Sequence, residues 1–274
     1  MEAADILEGV RDHYGATGLT ERLETALATL GPEDRQFTPE QLAFLDQFHT
    51  KGLLATIELA KLAGIAADMS VLDVGSGIGG PARFLAAAYG CQVTGVDLSR
   101  PFVEAARYLS QRTGLSHLVS FEAASALELP FDAGHFDAAL LQHVAMNIFA
   151  RAPLYREIRR VLKPGGRFAI FDVVRGDGEP HYPLPWARTP ATSFLLSAQA
   201  TRQTIEAAGF RTLAWQDDTE SAKAWFAQLR ASGPPPSPNL GVVMGPDFAQ
   251  FTTNLARSVM EGRVGLLAAV FEAA

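Results

Sequence analysis

One segment constrains this chain more than any other. Residues 71–80 read VLDVGSGIGG, an apolar strand that leads directly into a glycine-rich turn, and residues 93–98 read VTGVDL, a second apolar strand that ends in an acid. Glycines permit a tight turn and the close approach of a ligand, and Asp97 at the end of the second strand can accept hydrogen bonds from ribose hydroxyls. The pattern predicts a nucleotide-binding βαβ unit.

An acid inside the first strand narrows the choice of ligand. Asp73 lies two residues before Gly75. A dinucleotide places its pyrophosphate at the N-terminus of the following helix, and a carboxylate there would repel that anion. The same carboxylate would suit a ligand with a cationic end, such as the amino acid moiety of S-adenosylmethionine. This favours a methyltransferase over an NAD(P)-dependent oxidoreductase; the alternative is that Asp73 caps the next helix.

The composition limits the size of the fold and the class of partner. The chain has 274 residues, of which 48% are hydrophobic, enough for one large α/β domain with additional helices. The net charge of −7 argues against a nucleic acid partner, because binding to phosphates requires clustered lysine and arginine. We therefore expect a small-molecule partner and no nucleic acid.

The sequence also predicts a compartment. Cys91 is the only cysteine, so no internal disulfide can form, as expected in a reducing cytoplasm. The first residues lack the basic start and apolar core of a signal peptide, and no run approaches the ~18 apolar residues of a membrane helix. We expect a cytoplasmic protein without a membrane partner, either a monomer or a homodimer.

Hydrophobic periodicity divides the chain into a helical segment and an α/β segment. Residues 1–67 have helical spacing and predict an N-terminal helical cap, with a domain over 68–274. Predicted strands at 70–74, 92–97, 119–123, 136–142 and 167–174 alternate with helices near 80–89, 101–113 and 151–162. This alternation predicts a parallel sheet covered by helices on both faces. Residues 163–166, KPGG, predict a turn before the fifth strand.

The remainder of the chain is punctuated by proline and glycine. Residues 175–198 predict a lid loop, followed by a helix at 199–208, a strand at 211–216 and a helix at 219–231. Residues 232–262 predict a proline-rich loop and a helix at 246–262. The last apolar run, 264–271, predicts a seventh strand inserted antiparallel beside the sixth.

Further motifs follow the glycine-rich turn in a characteristic order: LELPF at 127–131, FDA at 136–138 and RVLKPGG at 160–166. With residues 69–98, they make the chain similar, over about residues 45–215, to class I S-adenosylmethionine-dependent methyltransferases. The similar branch acts on small molecules and includes ubiquinone/menaquinone C-methyltransferases, sarcosine/dimethylglycine N-methyltransferases and natural-product sugar O-methyltransferases. The resemblance implies a doubly wound, Rossmann-like seven-stranded sheet in the order 3-2-1-4-5-7-6, with strand 7 antiparallel. It also implies in-line transfer of methyl from S-adenosylmethionine to a small molecule, leaving S-adenosylhomocysteine.

The resemblance implies a set of cofactor contacts. Asp73 would face the ammonium group, Asp97 would accept both ribose hydroxyls (or would instead cap the next helix), and Leu98 would pack on the adenine. The family usually has an acid where this chain has Ser125, so a neutral hydroxyl would have to accept the hydrogen bond beside the adenine. The remaining expected cofactor residues are Gly75, Ser76, Gly77, Ala126, Gln142 and Gln47.

Two residues at strand ends are candidates for catalysis. His143 follows the fourth strand, where a neutral imidazole can take a proton from an attacking hydroxyl or ammonium; the alternative is a packing histidine. Asp172 lies near the end of the fifth strand and would orient His143 or contact the substrate. In the sugar O-methyltransferases, a histidine and an aspartate at these strand ends are implicated in this way.

The residues that are candidates for binding the methyl acceptor come from outside the central sheet. Tyr14 and His49 belong to the helical cap, and Tyr182 and Trp186 belong to the lid, where packing on the core is the alternative. No CxxC, HExxH or carboxylate cluster predicts a metal site. Nothing in the sequence selects nitrogen, oxygen or carbon as the nucleophile. A cofactor-binding protein that does not methylate, or that catalyses another reaction such as a cyclisation, remains the alternative function.

Overall fold

A computed structural model describes residues 18–233 and 237–274 of the chain. The first helices are α1 (Leu19–Ala28), α2 (Pro39–Asp46) and α3 (Leu53–Ala63). The strands are β1 (Ser70–Val74), β2 (Gln92–Asp97), β3 (Val119–Ala123), β4 (Phe136–Gln142), β5 (Leu162–Arg175), β6 (Phe210–Asp217) and β7 (Val264–Ala273). The later helices are α4 (Gly80–Tyr89), α5 (Arg100–Arg112), α6 (Arg151–Val161), α7 (Ala198–Ala207), α8 (Thr219–Ser232), α9 (Gly241–Met244) and α10 (Phe248–Met260).

The strands form one seven-stranded sheet in the order β3-β2-β1-β4-β5-β7-β6. Strand β7 is antiparallel to both of its neighbours, and the other pairs are parallel. Successive residues of β1 pack into different hydrophobic clusters, Val71 on one face of the sheet and Leu72 on the other. Both faces are therefore covered, as expected for a parallel sheet. The predicted doubly wound fold and strand order are confirmed.

The fifth strand begins earlier than predicted. Leu162 pairs with Phe136, and the next paired residue, Arg167, lies opposite Ala138. The four residues between them bulge out of the ladder, with Gly165 in the left-handed region at φ 75°. The KPGG segment is thus an interruption within β5, and the prediction of a turn before that strand is wrong. The short helix α9, in the proline-rich region, was not predicted.

The early helices are fixed to the domain by polar contacts. Helix α2 begins with a capping box between Thr38 and Gln41, and Pro39 occupies its first position. At its other end, Asp46 forms a 2.8 Å ion pair with Arg83 of α4, and both side chains are fully buried. A Cβ on Gly80 would collide with the backbone of Asp46, so α2 and α4 meet in close contact. The loop after α2 is thereby held near the carboxyl ends of the strands.

The segment between β5 and α7, which the sequence predicts to be a lid loop, has little regular structure. Its regular features are a 3-10 turn at Pro190–Thr192 and a bridge between Leu184 and Ala187. Leu184 and Trp186 are buried, so this part of the segment packs against the core. Within the described ranges, every helix is too short or too polar to cross a bilayer.

Candidate active site

A cavity of about 240 Å³ opens at the carboxyl ends of β1, β2 and β4. Parallel sheets bind their ligands at this edge, where the strand order reverses. Most of the residues that the sequence singled out line the cavity: His49, Asp73, Gly75, Ser76, Gly77, Asp97, Leu98, Ser125, Ala126, Gln142, His143 and Trp186. The sheet therefore brings together residues that are far apart in the chain.

The glycine-rich turn is shaped by its own backbone bonds. The amide groups of Gly75 and Ser76 both donate to the carbonyl of Val96, at 2.7 and 3.0 Å. Gly75 has φ 72°, and a Cβ there would collide with the Val144 side chain. Glycine is required at this position for both reasons. The turn leaves an open approach for a ligand beside β1.

Two buried carboxylates face this turn. Asp97 accepts hydrogen bonds from the amides of Gly77 (2.9 Å) and Ser99 (2.8 Å). Asp73 is 2% exposed, and its Oδ2 has no hydrogen-bond partner in the described part of the chain. Burial raises the pKa of Asp73 to about 7, and the Asp97 carboxylate adds to the shift while Arg83 opposes it. Burial also raises the pKa of Asp97 to about 6.

The caps of the two following helices exclude a helix-capping role for both acids. Ser99, not Asp97, is the N-cap of α5, and its hydroxyl accepts from the Phe102 amide. Helix α4 begins after Gly79 without any side-chain cap, so Asp73 does not cap it. An unpartnered buried carboxylate is costly, and a cationic ligand group would relieve that cost. The Ser76 hydroxyl oxygen is also buried without a partner within residues 18–233 and 237–274.

Gln47 is the expected cofactor residue that lies outside the cavity. Its side chain is buried behind the cavity wall, where Oε1 accepts a 2.9 Å hydrogen bond from Thr56. Ser125 does line the cavity, but its hydroxyl accepts from the Leu127 amide and so stabilises its own turn. Gln142 lines the cavity with an Nε2 that has no partner among the described residues.

Two histidines meet in the cavity. The His143 ring stacks on Phe171 with centroids 5.2 Å apart, and the His49 ring lies 6.0 Å from His143. His49 Nε2 lies 3.0 Å from the Gly52 carbonyl. Because a carbonyl only accepts, Nε2 carries the proton and Nδ1 carries the lone pair. Burial lowers the pKa of His49 to about 4 and the pKa of His143 well below its usual value, so both rings are neutral at pH 7.

Asp172 does not orient His143, and that expectation is wrong. Its carboxylate accepts from the amides of Ala145 (3.1 Å) and Val173 (3.0 Å). The preceding residue, Phe171, carries the ring under His143, and successive side chains in a strand point to opposite faces. The Asp172 side chain therefore points to the face of the sheet opposite to Phe171, where it holds the turn after β4 in place.

Of the residues predicted to bind the methyl acceptor, some line the cavity and others pack in the core. Trp186 lines the cavity, and its indole nitrogen donates to Ser193 at 3.0 Å. Tyr182 is half-buried against the core rather than lining the cavity, and Tyr14 lies outside the described residues. No group of three metal-binding side chains is found among residues 18–233 and 237–274.

Apolar residues complete the cavity and were missed by the sequence reasoning. They include Val144, Met146, Ile148 and Phe149 after β4, Met244 of α9 and Leu255 of α10. No motif marks them, because they are ordinary hydrophobic residues in segments that converge only in the folded chain. For the four residues after β4, the nearest signal is their position directly after a strand end; Met244 and Leu255 have no such signal.

Comparison with known proteins agrees with this architecture. A family described as "Methyltransferase domain" matches residues 72–170. Sarcosine/dimethylglycine N-methyltransferase of Halorhodospira halochloris is 31% identical over 164 residues, which cover 60% of this chain and 59% of the relative. The chain covers less than two thirds of the length of the curated relatives it matches.

Solved structures of similar fold cover nearly the whole chain. Geranyl diphosphate C-methyltransferase from Streptomyces coelicolor A3(2), in complex with Mg²⁺, geranyl-S-thiolodiphosphate and S-adenosyl-L-homocysteine, superposes with a TM-score of 0.72. It is 18% identical, with 100% of each chain covered. The [4+2]-cyclase SpnF has a TM-score of 0.68 and 22% identity, with 96% of this chain and 95% of the cyclase covered.

The family match spans β1 to β5, and therefore includes the glycine-rich turn, both buried carboxylates and His143. The sheet order, with its antiparallel seventh strand, is the one that the sequence resemblance implied. Residues 72–170 of this chain therefore match a methyltransferase domain family, and the chain shares its fold with the solved structures named above.

Proposed function

We propose that this protein transfers a methyl group from S-adenosylmethionine to a small-molecule acceptor. The unpartnered, buried carboxylate of Asp73 beside the glycine-rich turn is the observation that carries the proposal. A pyrophosphate would be repelled at this position, whereas an ammonium group would be stabilised. When bound, S-adenosylmethionine supplies an electrophilic methyl group, whose bond to sulfur breaks as the nucleophile of the acceptor attacks in line.

The cavity offers partners for the ammonium group, the ribose and the adenine of that cofactor. Asp73 would hold the ammonium group, with the Ser76 hydroxyl as a further unsatisfied group nearby. Asp97 would accept the ribose hydroxyls, since its two oxygens are already oriented by backbone amides. Leu98 and Ala126 would contact the adenine. The Ser125 hydroxyl replaces the charged acceptor of the family and would bind the adenine amine more weakly.

Methyl transfer makes three demands on the protein, which are alignment of the acceptor, exclusion of water and, in some cases, removal of a proton. The protein must align the acceptor with the methyl group and exclude water, and alignment alone can contribute roughly 7–11 kcal/mol. Where the nucleophile carries a proton, a neutral imidazole can accept it, and both His49 and His143 are neutral and line the cavity. A positioned base contributes about 10²–10⁴-fold in rate. Nitrogen, oxygen and carbon nucleophiles are all compatible with these groups.

The N-terminal helices would act as a cap over this site. Their loop after α2 contributes Phe48 and His49 to the cavity wall. We assign residues 1–67 to this cap and residues 68–274 to the methyltransferase domain. Cys91 is buried as a free thiol, which supports action in the reducing cytoplasm.

Calorimetric titration of the purified full chain tests the proposal. We expect S-adenosylmethionine and S-adenosylhomocysteine to bind and NADH not to bind. Binding of NADH alone, or of none of these ligands to protein shown to be folded by circular dichroism, would overturn it.

The alternative function is a cyclisation, or cofactor binding without transfer. It is favoured by the similarity in fold to the cyclase SpnF. Incubation of the protein with methyl-labelled cofactor and a metabolite extract separates these possibilities. Label that moves into an extracted product supports methyl transfer; cofactor binding without any labelled product supports the alternative.

A further inference from the structure

Beyond the cofactor residues, most of the lining of the cavity is apolar; Asn147 is a polar member of the segment after β4, and its amide nitrogen donates to the Val144 carbonyl at 3.2 Å. We define the acceptor wall as Val144, Met146, Ile148, Phe149, Met244 and Leu255. Its members come from the segment after β4 and from α9 and α10, so three regions of the chain converge on it. The nearby Trp186 also contributes little polarity, because its indole N–H is already bonded to Ser193.

The charges that line the cavity are all acidic. Asp46, Asp73 and Asp97 contribute carboxyl groups, and among the lining residues of the described chain there is no lysine or arginine. In the described part of this lining, the other ionisable groups are the two imidazoles. An anionic group on the methyl acceptor would meet like charges in this cavity and would find no cation to pair with in the described lining.

The buried cations around the site already have partners. Lys51 is 2.5 Å from Glu58 and 2.8 Å from Asp218. Arg83 is paired with Asp46. Redirecting Arg83 toward a ligand would break a fully buried ion pair, and redirecting the buried Lys51 would separate it from two carboxylates; both changes are unfavourable.

Arg151 is the buried cation next in sequence to the acceptor wall, and its donors are also used. It donates to the carbonyls of Ile148 (2.9 Å) and Phe194 (2.7 Å) and to the Tyr155 hydroxyl (3.2 Å). These bonds hold the backbone that carries part of the acceptor wall. The guanidinium thus has a structural task and is not presented to the cavity.

We infer that the acceptor is an uncharged, largely apolar molecule that carries neither a phosphate nor a carboxylate. The inference rests on the proposed function and names the substrate class of the same site. Burying an unpaired anion against the acceptor wall would be costly, whereas an apolar skeleton is favoured there. The neutral polar groups left to meet its nucleophile are the imidazoles of His49 and His143 and the side-chain amide of Gln142, all in the described lining. On this inference, the charged molecules geranyl diphosphate and sarcosine, which are named for two relatives, would bind poorly as acceptors here.

Three probes with the same eight-carbon chain test the charge preference. The full chain, saturated with S-adenosylhomocysteine at pH 8, is titrated calorimetrically with 1-octanol, octanoate and octyl phosphate. We expect 1-octanol to bind about tenfold or more tightly than either anion, because both anions would be buried without a partner. Equal or tighter binding of either anion overturns the inference, as does failure of 1-octanol to bind.

A charge introduced at the acceptor wall tests the location. Phe149 is 69% exposed, so it tolerates substitution. Relative to Phe149→Gln, we expect Phe149→Arg to tighten octanoate binding by about fivefold or more, because it adds the missing cation. Leu213→Arg, on the exposed part of β6, is the matched control and should leave the ratio of octanoate to octanol affinity unchanged. Equal ratios in the two Phe149 variants would overturn the inference.

The order of the titrations separates the two proposals. Binding of S-adenosylhomocysteine is measured first, and its absence in folded protein contradicts the proposed function. If that ligand binds and the anionic probes bind as well as the alcohol, the proposed function stands and the substrate class is wrong.

Discussion

The imidazoles of His49 and His143 lie 6.0 Å apart at an interplanar angle of 69°, and both contact the ring of Phe171. Three separate segments therefore meet at one point: the loop after α2, the end of β4 and the middle of β5. His143 adopts φ 54°, an unusual conformation for a residue with a Cβ. The arrangement places two neutral bases on one side of the proposed acceptor position.

Replacing His143 should affect turnover more than cofactor affinity. With the acceptor found by the label-transfer experiment, we expect His143→Ala to lower kcat by about 10²–10⁴-fold, the usual contribution of a positioned base. The Kd for S-adenosylhomocysteine should be unchanged, and His117→Ala, at a surface turn, should alter neither value. A His143→Ala enzyme with normal kcat would remove this residue from the mechanism.

Replacing Asp97 should affect the cofactor instead. Asp97→Asn keeps an oxygen to accept a backbone hydrogen bond but loses the charge that strengthens bonds to the ribose hydroxyls, so we expect the Kd for S-adenosylhomocysteine to rise by about tenfold. Glu122→Ala removes an exposed acid on β3 and serves as the control. Calorimetry gives both values. Unaltered affinity in Asp97→Asn would rule out the ribose contact.

Cofactor affinity should depend on pH through Asp73. The pKa of Asp73 is raised to about 7 in the free protein, so the carboxylate becomes protonated as the pH falls through this value. A protonated acid no longer attracts an ammonium group, and we expect the Kd for S-adenosylhomocysteine to increase between pH 8 and pH 6 by about tenfold. Asp73→Asn should bind weakly at both pH values. A pH dependence that persists in this variant would have to come from another group.

The same shift predicts a gain in stability from Asp73→Asn. Because the folded-state pKa is raised from 3.8 to about 7, the free folded protein binds the proton more tightly than the unfolded chain. The stabilisation from this group is complete below about pH 4 and is lost as the pH rises through 7. We therefore expect the variant's advantage in the free energy of unfolding to grow between pH 4 and 7 and to stay constant above. Urea unfolding without ligand measures it; a constant difference would contradict the shift.

The Asp46–Arg83 pair should behave as a coupled unit. Arg83→Met leaves a buried carboxylate without its partner, and we expect it to lower the free energy of unfolding by about 3–5 kcal/mol. Asp46→Asn in the same chain removes that charge, so the double variant should be less destabilised than Arg83→Met alone. A urea-unfolding double-mutant cycle measures the coupling. Additive losses would show that the two side chains act independently.

Local signals in the sequence predicted the central strands well. Strands β1 to β4 have the predicted ends. Strands β1, β2 and β4 are largely apolar and are closed by glycine or a polar residue, and β3 alternates apolar with polar residues. For the KPGG segment, in contrast, local signals led to a wrong prediction. Proline and glycine predict a turn locally, but pairing of Leu162 with β4 draws the residues on both sides into one strand.

Tertiary contacts decided the roles of polar residues at strand ends. Asp172 and His143 follow neighbouring strands, so proximity was a reasonable prediction, but the alternation of side chains in β5 directs them to different faces. Gln47 and His49 lie two residues apart, yet one supports the cavity wall and the other lines it. Sequence spacing does not define which side of an irregular loop faces the site.

The sequence by itself determined the doubly wound sheet, the glycine-rich turn and the two acids beside it, because these depend on the order and spacing of residues within one βαβ unit. Only the tertiary structure decided which histidines meet, where Asp172 points and how apolar the acceptor wall is. Those properties depend on contacts between segments far apart in the chain. They arise when the strands pair across the sheet and when residues 175–198 and the late helices pack against it.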